Sequence, residues 1–470
     1  MSVASDHPSS GMAIAGGAGV ANGPFDAIVI GAGAAGLSAS AELARRDRLV
    51  LVLEARDRIG GRAWSRYEPD TAVPIELGAE FIHGQAIPTR ALLRAAGQTA
   101  VDVPRTRWVL RNDRLDRGKD LFPLVRDALR KIRLSDDEDP PFVVLLDRLR
   151  QAGLSDEACT FARTLVEGFD AADPLRVSAR SIVREWSSAP DELQSRPLRG
   201  YGALLAMLVD RRVTFGLRRV VHAVRWRRGA VEVEGSFLGN PFRIAARRAI
   251  VTLPVGVLQL APGEPGAIAF EPALDRKRHA LAGLASGPVL KVVLRLRTAF
   301  WETLDAGRYL DASFFHAPAA AFPTLWTPLP VRAPLLVAWA GGPKAERLSG
   351  LPSERIVSEA VASVDATFGG RIDVRSQVET AYLHDWQRDP FARGAYSYEQ
   401  AGGGSARQDL AAPVEDTLFF AGEATDDEGE AGTVAGALQS GIRAARELDE
   451  SLKHPPPLHP AGQASTPRRV

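Results

Sequence analysis

The pattern of apolar and polar positions predicts a strand–helix–strand unit close to the N-terminus. Residues 27–30 form a continuous apolar run, which is typical of a parallel strand buried on both faces. A glycine-containing turn and a segment rich in small residues, typical of a helix, follow up to Leu43. Residues 49–53 then give a second apolar run. This order predicts a βαβ unit with a parallel strand pair.

The turn of this unit carries Gly31, Gly33 and Gly36, which fit the GxGxxG spacing. Such glycines allow a tight turn, close approach of a ligand to the backbone and close packing of the helix. The helix N-terminus offers free N–H groups and a positive dipole end to a pyrophosphate. Glu54 ends the second strand, where a carboxylate can accept hydrogen bonds from ribose hydroxyls. We therefore predict a dinucleotide site. The alternatives are an accidental glycine loop and a solvated strand end.

Later segments predict that this domain is discontinuous. Residues 88–210 are charged and helix-like, residues 213–250 suggest several strands with a turn at 228–229, and residues 249–258 suggest a buried strand ending at Pro254. The predicted fold class is α/β: a discontinuous Rossmann-type dinucleotide domain with an inserted α+β substrate-binding domain. The predicted divisions are a disordered tail at 1–24, the dinucleotide domain at 25–87, 211–289 and 386–450, the substrate domain at 88–210 and 290–385, and a disordered tail at 451–470.

Composition narrows the class of protein. The 470 residues are 45% hydrophobic and 24% charged, with a formal net charge of +1, so nucleic-acid binding is not expected. Cys159 is the single cysteine, which excludes an intrachain disulfide and favours a reducing, cytoplasmic location; we interpret its side chain as a buried small hydrophobe. No apolar stretch approaches the ~20 residues that span a bilayer. No metal site is predicted.

Six further motifs occur in a fixed order after the second strand. They are "ARDRIGGR", "IELGAEFIHG", "LPVGVL", "LKVVL", "WQRDPFARGAYSY" and "FFAGEATD…GTVAGALQSG". Over about residues 25–450 this set resembles the flavin-containing amine oxidase family, which includes polyamine oxidases, monoamine oxidases and lysine-specific histone demethylases. The resemblance implies FAD as cofactor. Non-covalent binding is implied because Ala395 stands where monoamine oxidases carry the cysteine that bonds to flavin.

The resemblance assigns most of the motif residues to FAD. The implied contacts are Gly31, Gly33, Ala35 and Gly36 at the pyrophosphate; Glu54, with Ala55 and Arg56, at the adenosine ribose; Gly61 and Arg62 along the ribityl and phosphate part; Gly78, Ala79, Glu80 and Phe81 beside the isoalloxazine ring; Val221 at the adenine; Gly422 and Glu423 over the pyrophosphate and ribityl chain; Thr433 and Val434 at the flavin pyrimidine; and Trp386.

Two residues match family positions at the flavin itself. Lys291 matches the lysine that holds a water against flavin N5. The strand pattern alone points the other way, because Lys291 shares a face with Val293 and Arg295 and would then face solvent. Tyr396 matches one wall of an aromatic cage for the amine, the alternative being an ordinary core tyrosine. The resemblance therefore implies catalytic roles for Lys291 and Tyr396.

Three further residues match the substrate side of the family site. His83 corresponds to a position near the substrate amine, and a structural histidine is the alternative. Glu430, with the acidic run at 426–428, would bind a second ammonium group, whereas a solvated turn is the alternative. Thr433 stands where monoamine oxidases carry a tyrosine, which favours a site like that of polyamine oxidases or of the demethylases.

The implied reaction is the oxidation of a small-molecule amine. Hydride passes from the amine α-carbon to flavin N5, the imine hydrolyses to an aldehyde and an amine, and O2 reoxidises the flavin to give hydrogen peroxide. A diamine, polyamine or secondary amine is the expected substrate, because Phe81 stands where amino-acid oxidases carry an arginine for the carboxylate. The alternatives are an L-amino-acid oxidase or monooxygenase and, in another class, a catalytically idle flavin-fold protein that binds a partner.

Overall fold

A computed structural model describes residues 2–3, 25–135, 138–188 and 194–453. Of the predicted N-terminal tail it describes only Ser2–Val3, a short strand that pairs with Val378–Leu383. The last helix ends at Lys453 and so includes the first three residues of the predicted C-terminal tail, 451–453. The remainder of both predicted tails, and the acidic residues 136–137, lie outside the described residues.

The described residues form strands and helices throughout, which confirms the α/β class. The strands, β1 to β23 in chain order, are Ser2–Val3, Phe25–Ile30, Val50–Leu53, Ser65–Arg66, Ile75–Glu76, Ile82–His83, Ala100–Asp102, Arg107–Arg111, Arg114–Arg117, Gln194–Pro197, Thr214–Gly216, Arg219–Arg227, Ala230–Phe237, Asn240–Val251, Ala269–Glu271, Leu284–Gly287, Val289–Leu296, Phe314–His316, Thr324–Trp326, Leu335–Gly341, Val378–Leu383, Tyr396–Glu399 and Leu418–Phe420.

The α-helices, α1 to α14 in chain order, are Ala34–Ala44, Ile87–Ala95, Phe122–Lys131, Phe142–Gln151, Asp156–Gly168, Ala179–Ser188, Gly200–Ala206, Val255–Leu258, Asp275–Ala282, Gly342–Leu348, Ser353–Thr367, Val374–Gln377, Ala406–Ala411 and Val434–Lys453. Short 3-10 helices occur at Phe300–Glu302, Leu304–Gly307 and Glu423–Thr425.

The first large sheet has the order β11-β3-β2-β14-β13-β12-β15, and β23 also pairs with β14. Strand β2 pairs in parallel with β3 on one side and with the second half of β14 on the other. The first half of β14 pairs antiparallel with β13. Helix α1 connects β2 to β3, as a parallel pair requires. The predicted βαβ unit is therefore confirmed, and its strands are completed by segments distant in sequence.

Helix α1 is buried along its whole length, because its small residues fit between the sheet and α14. The Ser38 hydroxyl donates to the Leu438 carbonyl at 2.8 Å. A Cβ on Gly441 would lie 2.3 Å from the Ala35 carbonyl oxygen. The first and last helices of the domain therefore pack closely against each other, behind the predicted pyrophosphate turn.

The second large sheet has the order β1-β21-β17-β20-β19-β18-β8-β9 and is mainly antiparallel. Helix α11 packs on one face of it, in a core that includes Leu290, Val292 and Val357. Helices α3 to α6 form a separate cluster that contains the buried side chain of Cys159. Our interpretation of Cys159 as a buried hydrophobe is confirmed.

The secondary-structure predictions need two corrections. Residues 88–210 are not only helical, because β7 to β10 lie within them, and β8 and β9 complete the edge of the second large sheet. The strand expected over residues 249–258 ends at Val251, and Pro254 precedes a short helix at Val255–Leu258. The several strands expected over residues 213–250 are confirmed, with the turn between Arg227 and Ala230.

Candidate active site and cofactor cleft

A single cavity of about 1000 Å³ receives residues from both large sheets. One end is lined by the glycine turn after β2, by Glu54 and by Val221 on β12. The other end is lined by Lys291 on β17, by Phe314 on β18 and by residues of helices α5 and α6. The site predicted for the dinucleotide and the site predicted for the amine are therefore parts of one cleft.

The glycine turn has the geometry of a close-approach site. Gly31 has φ of +106°, and a Cβ on Gly36 would lie 1.9 Å from the Gly31 carbonyl oxygen. A Cβ on Gly33 would instead meet nothing nearer than 3.9 Å, at Gly61 Cα. Gly31, Gly33 and Ala35 line the cavity, whereas Gly36 does not. The close helix packing expected of Gly36 is confirmed, and its contact with the pyrophosphate stays a prediction.

Glu54 is 4% exposed at the end of β3, and its carboxylate organises this turn. Oε2 accepts from the Ala32 N–H at 2.8 Å, and Oε1 accepts from the Arg56 N–H at 2.9 Å. Each oxygen has a further lone pair, so both backbone bonds leave acceptor capacity toward the cavity. The solvated strand end considered for Glu54 is excluded by its burial.

A buried charge pair links the N-terminal and C-terminal motifs. Arg62 donates to Glu423 at 2.9 Å and to the Ala395 carbonyl at 2.7 Å. Burial alone would raise the pKa of Glu423, but the charges of Arg62 and Arg407 outweigh it and hold that pKa below its usual value. Glu423 is therefore a carboxylate. It also accepts from the Ser397 hydroxyl at 2.7 Å.

Residues 78–81 and Trp386 form the next part of the cavity wall. A Cβ on Gly78 would lie 1.8 Å from the Arg62 carbonyl oxygen, and the Ala79 N–H donates to that oxygen at 3.2 Å. The Trp386 indole is buried and donates to the Leu77 carbonyl at 2.9 Å. These contacts fix the wall rigidly, and the predicted residues in it all line the cavity: Gly78, Ala79, Glu80, Phe81 and Trp386.

Lys291 is 2% exposed, so the solvent-facing alternative from strand alternation is wrong. Its Nζ lies 2.6 Å from Glu80 Oε2 and 3.2 Å from the Gly78 carbonyl oxygen. The face it shares with Val293 is covered by a small apolar cluster on the second sheet. Alternation fails here because both faces of β17 are buried, with only Arg295 partly exposed.

Tyr396 and His83 both line the cavity. The Tyr396 hydroxyl donates to the Phe169 carbonyl at 2.6 Å, and burial raises the pKa of Tyr396. Burial lowers the pKa of His83 to about 4, so its ring is neutral near pH 7. His83 lies edge-on to Phe169 at 5.2 Å between ring centroids and is 5.9 Å from Phe81.

Aromatic rings continue from Phe81 along the cavity. Trp326 lies 5.4 Å from Phe81, and Trp339 lies 5.5 Å from Trp326, between ring centroids. Trp339 also donates to the Gly168 carbonyl at 2.7 Å. The segment that ends helix α5 is therefore held on one side by Trp339 and on the other by Tyr396.

The acidic loop before α14 is only partly directed at the cavity. Glu430 lines it, and Oε1 of Glu430 accepts from the Ala86 N–H at 3.2 Å. Asp426 is 3% exposed and accepts from the N–H groups of Glu428 and Glu430. Neither Asp426 nor Asp427 lines the cavity, whereas Glu428 does, and the substrate role of Glu430 stays a prediction.

Thr433 and Val434 stand at the start of helix α14. The Thr433 hydroxyl accepts from the Gly436 N–H at 3.1 Å, as a helix-capping side chain does. Both residues line the cavity, together with Gly422, Gly61, Ala55 and Arg56. The positive end of the α14 dipole therefore also points to the cleft.

Two acidic residues of the cavity escaped sequence analysis. Asp170 follows helix α5 and Glu185 lies in α6, and both line the cavity. Asp170 Oδ2 has no hydrogen-bond partner among the described residues. Burial and the nearby Glu185 raise the pKa of Asp170 well above its usual value, and burial also raises that of Glu185. No motif contains Asp170 or Glu185. The one signal in the sequence is that each is an acidic residue in an amphipathic segment.

The cleft fits a flavin dinucleotide. The open space over Gly33, the two-sided acceptor Glu54 and the N-termini of α1 and α14 suit pyrophosphate and ribose.

No helix in the described part of the chain could cross a membrane. Within the same residues, no group of three or more His, Cys, Asp and Glu side chains is arranged to hold a metal ion.

Comparison with known proteins identifies the class. Residues 34–449 match the family described as flavin containing amine oxidoreductase, and the chain belongs to this family. It is 28% identical over 465 residues to probable polyamine oxidase 4 of Arabidopsis thaliana, covering 90% of this chain and 87% of that protein. It is 26% identical over 458 residues to lysine-specific histone demethylase 2 of Homo sapiens, covering 90% of this chain but 53% of that protein.

Solved structures share the fold. Putrescine oxidase, in a structure described as wild type bound to putrescine, superposes with a TM-score of 0.74 at 20% identity over 91% of this chain and 99% of that chain. Cyclohexylamine oxidase from Brevibacterium oxydans IH-35A gives 0.75 at 19% identity, over 92% and 100% of the two chains. The chain therefore has a Rossmann-type FAD domain with a substrate-binding domain, and is an FAD-dependent amine oxidoreductase.

Proposed function

We propose that this enzyme oxidises a diamine, polyamine or secondary amine, with molecular oxygen as electron acceptor and an aldehyde, an amine and hydrogen peroxide as products. The observation that carries the proposal is Asp170, a buried carboxyl group in the cavity wall, one oxygen of which lacks a hydrogen-bond partner among the described residues. An ammonium group of the substrate would supply that partner and the opposite charge.

The location of Asp170 supports this interpretation. Tyr396 donates to the carbonyl of the preceding residue, Phe169, and the charge of Asp170 acts on Tyr396. An acid so near the predicted flavin face can attract the distal ammonium while the reacting amine lies against Tyr396. Burial raises the pKa of Asp170 in the protein without substrate. A bound cation would lower that pKa again, because it favours the ionised carboxylate.

The same surroundings disfavour an α-amino acid. Phe81 stands where a carboxylate would need a cation, and the same cavity wall carries the acidic residues Asp170 and Glu185. The cavity-lining Arg107 and Arg111 are already paired, with Asp120 at 3.5 Å and with Glu157, respectively. A buried carboxylate without a partner cation costs several kcal/mol. The amino-acid oxidase alternative is therefore the weaker one.

The bound FAD would supply the two-electron oxidation of the amine. The protein residues supply position and exclude water. We propose that Tyr396 orients the amine, that neutral His83 borders it without adding positive charge, and that Lys291 presents an N–H toward the reacting region. Glu430 also lines the cavity, in the loop before α14. It is a second acidic residue that could bind the distal ammonium group of a longer amine.

A second candidate substrate class is a monoamine with a bulky apolar group. The aromatic run Phe81, Trp326 and Trp339 favours it, because rings lining a cavity offer apolar area as well as cation contact. This class requires no distal ammonium. Dependence on Asp170 therefore separates the two classes.

The test is anaerobic mixing of the FAD-loaded protein with matched diamines, monoamines of equal length, cyclic amines and L-amino acids, following loss of flavin absorbance. We expect diamines to reduce the flavin at the lowest concentrations. Asp170→Asn should raise the KM for a diamine about tenfold or more, while that for the matched monoamine changes little.

Glu430→Gln is the matched control, because it also removes one cavity carboxylate by a near-isosteric change. If Asp170 is the anchor, Glu430→Gln should have the smaller effect on a short diamine. Equal effects of Asp170→Asn on diamine and monoamine would contradict the proposal and favour the bulky monoamine. A clear preference for an L-amino acid would contradict both.

A further inference from the structure

Glu80 lies at the centre of a buried charge cluster in the cavity wall. Its carboxylate accepts from Lys291 at 2.6 Å and from the Trp326 indole N–H at 3.2 Å, and it pairs with Arg196 at 3.3 Å. Burial alone would raise the pKa of Glu80, but the charges of Lys291 and Arg196 outweigh it and hold that pKa below its usual value. Glu80 is therefore ionised, and three protein donors are directed at its carboxylate.

These contacts argue against the predicted role of Glu80 as a flavin ligand. A carboxylate has about four lone-pair sites, and three are already directed to Lys291, Arg196 and Trp326. An anion beside the isoalloxazine ring would also oppose the negative charge that the ring gains on reduction. An anion near the ring does not oppose reduction when a cation that faces the ring neutralises its charge.

Lys291 is the cation that fits this description. An ammonium has three donors, and two of them are used by Glu80 and by the Gly78 carbonyl oxygen at 3.2 Å. Both acceptors lie in the wall formed by residues 78–81, so the third N–H is left for the cavity that Lys291 lines. A flexible lysine stem would not hold that direction without two fixed acceptors.

We propose that Glu80 is a positioning residue of the amine oxidation, which keeps Lys291 as an ammonium with one N–H directed into the cavity. The proposal rests on the proposed role of Lys291 in the reaction. The charged groups that face the pair are Glu76, on β5, and Arg196, on β10. Burial raises the pKa of Glu76 to about 7, despite the nearby Lys291, so Glu76 cannot replace Glu80 as a constant negative charge.

The proposal predicts that the effect of Glu80→Gln on the rate depends on pH. In Glu80→Gln, Lys291 would be a buried cation beside Arg196 without a firm counter-charge, and buried amines of this kind release their proton at lower pH. Flavin reduction and reoxidation should each be measured by stopped flow from pH 6 to 9. We expect Lys291→Met to slow one of these steps by about tenfold or more. At pH 6 the rate of that step in Glu80→Gln should be within about threefold of the wild-type rate. At pH 9 it should approach the rate of Lys291→Met.

A spectroscopic measurement provides a second readout. The chain has six lysines, at positions 119, 131, 277, 291, 344 and 453, so the FAD-loaded protein with ¹³C-labelled lysine should give a resolvable set of side-chain signals. The Lys291→Met spectrum assigns the signal of Lys291. Its titration midpoint should be lower in Glu80→Gln than in wild type by about one pH unit or more.

Two controls separate charge from structure. Trp326→Phe removes one hydrogen bond to Glu80 but keeps the carboxylate, so the pH profile should keep its wild-type midpoint. The double variant Glu80→Gln/Lys291→Met should be no slower than Lys291→Met alone, since Glu80 acts through Lys291.

The outcomes distinguish the two levels of the proposal. If Lys291→Met changes neither step by more than a few fold, the role of Lys291 itself is wrong. If Lys291→Met is slow but Glu80→Gln is slow at every pH, or is additive with Lys291→Met, or leaves the lysine titration unchanged, the positioning role of Glu80 is wrong.

Discussion

Replacement of Gly33 and Gly36 by alanine separates a cofactor contact from a folding requirement. A Cβ at position 33 would lie 3.9 Å from its nearest neighbour, which is ordinary van der Waals distance, and Gly33 has φ of −74° and ψ of −176°, which alanine adopts. A Cβ at position 36 would lie 1.9 Å from the Gly31 carbonyl oxygen. Alanine at position 36 therefore clashes with the protein backbone, whereas alanine at position 33 does not.

The expected magnitudes follow from these distances. An unwanted methyl group in a packed contact costs about 1–3 kcal/mol, which corresponds to a loss of about 5- to 150-fold in affinity if the group lies against FAD. Gly33→Ala should therefore weaken FAD binding by this factor while the melting temperature of the FAD-free protein changes by less than about 2 °C. Gly36→Ala should lower the melting temperature both with and without FAD.

The assay is thermal unfolding of each variant with and without added FAD, together with the flavin content of the purified protein. For Gly33→Ala we expect a colourless or pale protein with an almost unchanged melting temperature when FAD is absent. A yellow Gly33→Ala protein with full flavin content would contradict the placement of the pyrophosphate over Gly33. Equal stability of Gly36→Ala and wild type would contradict the packing role of Gly36.

Three other predictions concern the cofactor and the substrate. Acid precipitation should release FAD into the supernatant, because Ala395 cannot form the covalent link; a yellow pellet would contradict this. Glu54→Ala should lower FAD affinity about ten- to a hundredfold and also destabilise the FAD-free protein by about 1–3 kcal/mol, since the buried Ala32 N–H loses its acceptor; flavin content after dialysis and denaturant unfolding measure the two effects. Flavin reduction should become faster from pH 6 to 9 as the amine loses its proton, without an inflection from His83, whose pKa of about 4 lies below this range; a midpoint that disappears in His83→Phe would argue otherwise.

Sequence alone predicted the half of the site that depends on local backbone geometry. The glycine turn, β2, β3 and Glu54 are contiguous, so spacing and apolar pattern are sufficient to predict their arrangement. Spacing alone cannot show whether a glycine faces a ligand or a neighbouring carbonyl; the structure shows that Gly36 packs against the Gly31 carbonyl. The family resemblance supplied Lys291 and Tyr396 as candidates, which periodicity would have assigned to solvent and core.

The other half depends on long-range packing. The segment that carries Asp170 is held by Tyr396, more than two hundred positions later in the chain, which donates to the Phe169 carbonyl, and no local pattern encodes that contact. The pairing of Lys291 with Glu80 joins strand β17 to the distant loop between β5 and β6, so the sequence could show two charges but not that they neutralise each other. In the acidic loop, the sequence could not show that Asp426 accepts from the backbone N–H groups of Glu428 and Glu430.

The pairing of β2 and β23 with the long strand β14 has a consequence for how the enzyme is made. Strand β2 emerges first from the ribosome, yet its parallel partner β14 ends at Val251, and β23 and α14 follow only from Leu418 onward. The Rossmann sheet therefore closes late, after the inserted segments have been synthesised, and it does so through contacts of very large sequence separation. Until then the buried face of α1 lacks its partner helix and exposes apolar surface, so a premature stop before residue 418 should yield a chain that is prone to aggregate and unable to retain FAD.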